Sequence, residues 1–230
     1  ESLLLTKMKF VDHLNPNQFG YRPKTSAKHA YFVVNEAAQF YKSGGSKIHI
    51  ICLDASKAFD KLWRDGLFWK LKDTVDPGIW RALYAYYKNS QIIVSYENEM
   101  GALTPTSEGV KQGGILSPYL FNFYMNKLIE DSVNLNIGAT IGKTNVSFVA
   151  YCDDIVLISP IAAHINILLK ICEKYAKDWK IEFNSKKLLK RFSLLSLNDF
   201  NLLVYSFKQI LQQIRMIFIT IFKNLHIFFH

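Results

Sequence analysis

Only three cysteines, Cys52, Cys152 and Cys172, occur in 230 residues, and no two are close enough in sequence to form a CxxC pair. That spacing implies neither a disulfide framework nor a Cys/His zinc site, and free thiols suggest a reducing compartment. The expectation is an intracellular protein, nuclear or cytoplasmic and not secreted. Long apolar runs are also missing. No stretch reaches the roughly 18 residues that a membrane span needs, and Leu3-Leu4-Leu5 is too short for the apolar core of a signal peptide. Acidic residues are in deficit, 19 against 28 Lys and Arg, which leaves a net charge of +9. Such a balance is compatible with a nucleic-acid partner. Half of the residues are hydrophobic, enough for a sizeable core.

Within that basic chain the few carboxylates are grouped. Tyr151-Cys152-Asp153-Asp154 stands between the apolar runs Val146–Ala150 and Ile155–Ile158, which read as the two arms of a β-hairpin with the acidic pair at its tip. Like charges side by side are unfavourable unless something positive joins them, and a divalent cation is the natural candidate. Asp54 follows a second strand-like run, Ile48–Leu53. Two carboxylate sites, each at the end of a β-run, fit a chemistry that holds two metal ions roughly 3.5–4 Å apart and joins nucleotides.

Hydrophobic spacing predicts helices over 26–43, 57–73, 79–88, about 118–133 and about 163–179, and strands over 47–53, 91–96 and 181–184 besides the acidic hairpin at 146–158. Gly44-Gly45 closes the first helix, and Asp76-Pro77-Gly78 breaks the chain. Ser117 is expected as an N-cap with Pro118 in the first turn. The class implied is α+β.

Four blocks, in order, carry a family resemblance: Asn17-Gln18-Phe19-Gly20-Tyr21-Arg22-Pro23; Leu53-Asp54-Ala55-Ser56-Lys57-Ala58-Phe59-Asp60; Glu108-Gly109-Val110-Lys111-Gln112-Gly113-Gly114-Ile115-Leu116-Ser117-Pro118 with Tyr119–Asn122; and Ala150-Tyr151-Cys152-Asp153-Asp154. A fifth, weaker block runs from Trp179 to Lys187. Over about residues 15–187 the chain resembles the palm and part of the fingers of the reverse transcriptase (RNA-directed DNA polymerase) of non-LTR, LINE-type retrotransposons. The resemblance implies a right-hand palm, an antiparallel sheet with helices packed on one face. The implied partners are an RNA template, a DNA primer and deoxynucleoside triphosphates, and no membrane. The implied cofactor is a pair of Mg²⁺ ions, with Mn²⁺ as an alternative.

The resemblance also assigns roles. Asp54 and Asp153 would bridge both metals, Asp154 would be the third carboxylate, nearer the primer, and Leu53 would offer a backbone carbonyl. Asp60 reads as a cap or partner for the following helix. Phe59, five residues after Asp54, stands where the family carries a gate against a ribose 2′-hydroxyl, although an amphipathic helix would also bury a Phe there. Gln112 and Gly113 would contact the nucleotide and the template base, with glycine permitting close backbone approach; a plain strand-to-helix turn is the alternative. Arg22 would reach the triphosphate with its planar fork, whereas Lys24 and Lys28 suit a solvated surface. Lys187, after the Asn184-Ser185-Lys186 turn, would protonate or steady the leaving pyrophosphate, a role open to Lys186 as well. Cys152 replaces a usual Ala, reads as a tolerated small residue and not a nucleophile, and is expected to face the primer end or the nucleotide sugar.

Residues 188–230 change character. They contain no Gly or Pro and a single acidic residue, Asp199. The division expected is a fingers/palm domain over 1–187, beginning within the fingers, and an atypical tail over 188–230 in which no thumb is recognisable. Two functional readings follow: a polymerase domain with an intact acidic triad, or an inactive element remnant that at most binds nucleic acid. A maturase-like or telomerase-like protein is a weaker third.

Overall fold

A computed structural model describes residues 1–8, 14–93, 95–96, 99–184 and 192–194 of the chain. The elements in order are α1 (Ser2–Lys7), α2 (Ala27–Ser43), β1 (Ile48–Asp54), α3 (Arg64–Leu71), α4 (Pro77–Lys88), β2 (Gln91–Ile92), β3 (Ser95–Tyr96), β4 (Glu99–Met100), β5 (Thr104–Pro105), α5 (Ser117–Val133), β6 (Thr140–Ile141), β7 (Thr144–Asn145), β8 (Phe148–Tyr151), β9 (Asp154–Ser159), α6 (Ala162–Asp178) and β10 (Phe192–Leu194). Four of the strands make one antiparallel sheet in the order β10-β1-β9-β8, and three small two-stranded ribbons accompany it.

The central strands β1 and β9 carry apolar residues on both faces because they are covered on both sides. Ile51, Leu53, Ile155 and Leu157 point into the larger core, with Leu120, Tyr124 and Leu128 of α5 and Ile165 and Leu168 of α6. Ile48, Ile50, Val156 and Ile158 point the other way, onto Ala30, Val34, Ala37 and Ala38 of α2. The α+β class and the antiparallel palm sheet agree with expectation, and α2 adds a layer on the second face.

Several element boundaries differ from those expected, each for a local reason. The helix predicted over 57–73 begins only at Arg64. Upstream of it the backbone is engaged elsewhere: Val110 N donates to Phe59 O (2.7 Å) and Gly109 N to Leu62 O (2.8 Å), so these carbonyls do not serve a helical ladder. Lys57 there takes a φ of 50°. Asp76-Pro77-Gly78 starts a helix instead of breaking the chain, because the Asp76 side chain accepts from Gly78 N (2.7 Å) and Pro77 occupies the first turn. Ser117 is not the N-cap of α5. Leu116 is, and Ser117 Oγ donates to Lys111 O (2.5 Å). Residues 91–96 split between β2 and β3, which have different partners. The strand expected at 181–184 reduces to one bridge, Ala55 with Phe183. Of the 188–230 segment only Phe192–Leu194 is described; it pairs with Ile48–Ile50 at the edge of the sheet.

Candidate active site

The sheet brings the predicted carboxylates to one end. Asp54 closes β1 and Asp154 opens β9, and the two are register partners, so their side chains leave the same face. Asp153 sits in the two-residue turn between β8 and β9, and its carbonyl oxygen accepts from Ala55 N (3.4 Å). Cys152, the other turn residue, has a φ of 54°, which matches the positive φ that tight hairpins require at their first central position.

The turn is held from outside by the first sequence block. Phe19 N donates to Ala150 O (2.8 Å) and Ala150 N to Asn17 O (2.9 Å). The buried Gln18 carbonyl Oε1 accepts from Gly20 N and Cys152 N, both at 2.9 Å. Gly20 has to be glycine here, because a Cβ would stand 2.5 Å from Cys152 Sγ. Cys152 is therefore buried against this block. Burial pushes its thiol well up, and the Cys52 thiol up to about 12, so neither is a nucleophile at neutral pH. Sequence reasoning missed Gln18 as a positioning residue; its place in the Asn17–Pro23 block was the only signal.

A cleft of about 370 Å³ opens beside the turn, lined by residues 54–60 with Gln112, Asp153 and Asn184. Three carboxylates (Asp54, Asp60, Asp153) face one ammonium (Lys57) in this lining, an imbalance that favours a bound cation. Among the described residues no three His, Cys, Asp or Glu side chains form a complete ligand set. So small a carboxylate set suits a divalent ion that keeps several of its waters.

Asn184, not predicted, approaches Asp54 twice: its backbone N donates to Asp54 O (2.8 Å) and its Nδ2 to Asp54 Oδ2 (3.5 Å). Phe59 lines the cleft while its ring stacks on Phe121 (centroids 5.0 Å apart, planes at 28°), so it is half core and half cleft wall. Gln112 Nε2 donates to Asp60 Oδ1 (2.6 Å). Asp60 thus binds the cleft wall, and the cap of α3 falls to Trp63. Gly113 follows in an exposed turn with a φ of 74°. Other predicted residues are not gathered here. Arg22 is outside the cleft lining and donates Nη1 to Asn15 O (3.3 Å). Asp154 is also outside the lining, though it is the register neighbour of Asp54. Lys187, with Ser185 and Lys186, lies outside the described residues.

The wall carrying Gln112 is secured by a buried cation. Arg64 donates Nε to Gly109 O (2.7 Å), Nη1 to Tyr87 O (3.0 Å), Ser90 Oγ (3.0 Å) and Thr106 O (2.5 Å), and Nη2 to Thr106 Oγ1 (2.9 Å). Burial lowers its pKa, but a guanidinium stays charged at neutral pH.

The sequence matches the family model for reverse transcriptase (RNA-dependent DNA polymerase) over residues 1–196. The chain belongs to the reverse transcriptase family. This family uses divalent metal ions. The chain is similar to the RNA-directed DNA polymerase from mobile element jockey of Drosophila funebris, at 23% identity with 80% of this chain and 20% of that protein covered. It is also similar to the probable RNA-directed DNA polymerase from transposon X-element of Drosophila melanogaster (25% identity, 74% of this chain, 19% of that protein). A third relative is the Pol polyprotein from type-2 retrotransposable element R2DM of Drosophila melanogaster (26% identity, 73% and 16%). The chain thus spans about a fifth of the length of these reverse transcriptase relatives. Among solved structures, telomerase from Candida albicans in complex with a fragment of telomeric RNA superposes with a TM-score of 0.61 at 14% identity, covering 83% of this chain and 35% of that one. Apo telomerase from Candida tropicalis gives 0.57 at 11%, covering 81% and 35%. These two share the fold. The sequence relatives are polymerases of non-LTR elements.

Proposed function

We propose that this chain is the RNA-directed DNA polymerase domain of a non-LTR retrotransposon, adding deoxynucleotides to a primer on an RNA template by two-metal-ion nucleotidyl transfer. The observation that carries the reading is one cleft walled by Asp54, Asp153, Phe59 and Gln112, although Gln112 stands 58 positions after Asp54 and Asp153 a further 41.

Asp54 and Asp153 supply hard oxygen ligands, with Asp154 as the neighbouring third carboxylate. Divalent ions held by these carboxylates would lower the pKa of the primer 3′-hydroxyl and offset the charge of the triphosphate. The primer 3′-oxygen attacks the α-phosphorus in line, the bond to the β-phosphate oxygen breaks, and pyrophosphate leaves. Phe59, held by its stack on Phe121, presents a flat ring where a ribose 2′-hydroxyl would need space. Gln112 contacts the nucleotide and Gly113 lets the backbone come close. Arg22 and Lys187 serve the triphosphate and the leaving pyrophosphate. RNA is supported as the template by the family. The net charge of +9 suits a phosphate backbone.

Primer extension on an RNA template with deoxynucleotides and Mg²⁺, beside the double variant Asp153→Asn, Asp154→Asn, tests this. Extension that disappears in the variant supports the polymerase. A folded wild-type chain that extends nothing refutes it in favour of an inactive remnant.

A further inference from the structure

We infer that Asp60 is a positioning residue that fixes the orientation of the Gln112 side-chain amide, so that Gln112 offers the cleft a hydrogen-bond acceptor; this rests on the nucleotide reading of the cleft given above. The chemistry of the pair decides the orientation. An ionised carboxylate only accepts hydrogen bonds, whereas an amide donates from nitrogen and accepts at oxygen. Contact with Asp60 Oδ1 therefore requires the nitrogen, and Nε2 stands 2.6 Å away. Both residues line the cleft, and the amide end left for a bound molecule is Oε1. The matching partner is a hydroxyl or amino donor on the nucleotide or the paired base.

The backbone shows that Asp60 is placed to do this. The turn at residues 56–60 and the wall at 109–112 are docked directly on each other: Val110 N donates to Phe59 O (2.7 Å). Gly109 passes so close that a Cβ would stand 2.4 Å from Asp60 O. Arg64 pins the same stretch through Gly109 O and Thr106. With both backbones fixed, the Asp60–Gln112 bond is a side-chain tie across a rigid seam. It also joins the ring of Phe59 to Gln112 through the adjacent residue, so the gate on the sugar and the polar contact share one anchor.

Asp60 and Gln112 are both exposed at the cleft, so substitutions there leave the fold intact. The test uses the full chain and three variants: Asp60→Ala, Gln112→Ala and the double. In primer extension, Asp60→Ala is expected to raise KM for the nucleotide roughly tenfold, in line with loss of one charge-assisted hydrogen bond, with kcat within about twofold. The double variant should be no worse than Gln112→Ala alone. A collapse of kcat at unchanged KM, or additive losses in the double, overturns the inference. A second readout needs no activity: in protein labelled with ¹⁵N at glutamine, the Gln112 side-chain amide signal should move in Asp60→Ala. An unmoved signal overturns the inference. If the wild-type chain extends no primer, the polymerase reading fails while the amide signal still decides the pairing.

Discussion

Replacing Arg64 by Leu isolates the buried cation that secures the cleft wall. The side chain is 8% exposed and reaches three backbone carbonyls, Gly109, Tyr87 and Thr106, and two hydroxyls. Leucine removes the cost of keeping a guanidinium out of water, but it leaves the acceptors behind. Tyr87 O retains the Ser90 hydroxyl as donor (2.7 Å); the Gly109 and Thr106 carbonyls lose the guanidinium. At about 1–3 kcal/mol for each buried acceptor deprived of its donor, with the recovered desolvation offsetting part, the net loss is about 3 kcal/mol. For a chain of this size that corresponds to a fall in Tm of about 6–12 °C. Thermal melting followed by circular dichroism measures it. The Arg64→Lys variant keeps the charge but not the fork, and is expected to recover less than half of the loss. A fall of under about 1 kcal/mol for Arg64→Leu would refute the view that the guanidinium holds the 87–110 segment against α3.

Three further outcomes are expected. Lys70 is enclosed by Trp179, Tyr175 and Tyr124, with Nζ 3.7, 4.7 and 4.8 Å from the ring centroids. Burial lowers its pKa from 10.5 to about 7, and the carboxylates of Asp131 and Glu130 act the other way. The unfolded chain therefore holds this proton where the folded chain has released it, so stability rises with pH between about 7 and 9; a flat or falling profile, or one that Lys70→Met leaves unchanged, contradicts this. Gly109→Ala combines a φ of 75° with a Cβ 2.4 Å from Asp60 O, and melting should show a loss of roughly 1–3 kcal/mol; a neutral variant would mean the seam is loose. Phe59→Val should raise ribonucleotide incorporation by about tenfold or more, a discrimination near 1.4 kcal/mol, and unchanged sugar selectivity would leave Phe59 as core alone.

How much of this was legible in the sequence varied with distance along the chain. Asp54, Asp153 and Asp154 were readable because each borders an apolar run, and that pattern survives in the register pair of Asp54, closing β1, with Asp154, opening β9. The strand and helix cores followed from period alone. Tertiary hydrogen bonds between distant residues were not readable. Asp60 meets Gln112 across 52 positions, Gln18 meets Cys152 across 134 and Asn184 meets Asp54 across 130. The same cause displaced the start of α3: an apolar period at 57–63 says helix, but docking onto residues 109–110 takes its carbonyls. Arg64 drew no reading from the sequence, and only the fold shows that it is a buried strut.

The central claim is that Asp54 and Asp153 hold the catalytic ions. Crystals of the chain soaked with Mn²⁺ and a deoxynucleoside triphosphate, measured for anomalous scattering, test it most directly. The account predicts two peaks roughly 3.5–4 Å apart between the Asp54 and Asp153 carboxylates and the phosphates, both lost in Asp54→Asn. Peaks confined to other carboxylates, or none in crystals that bind the nucleotide, would contradict it.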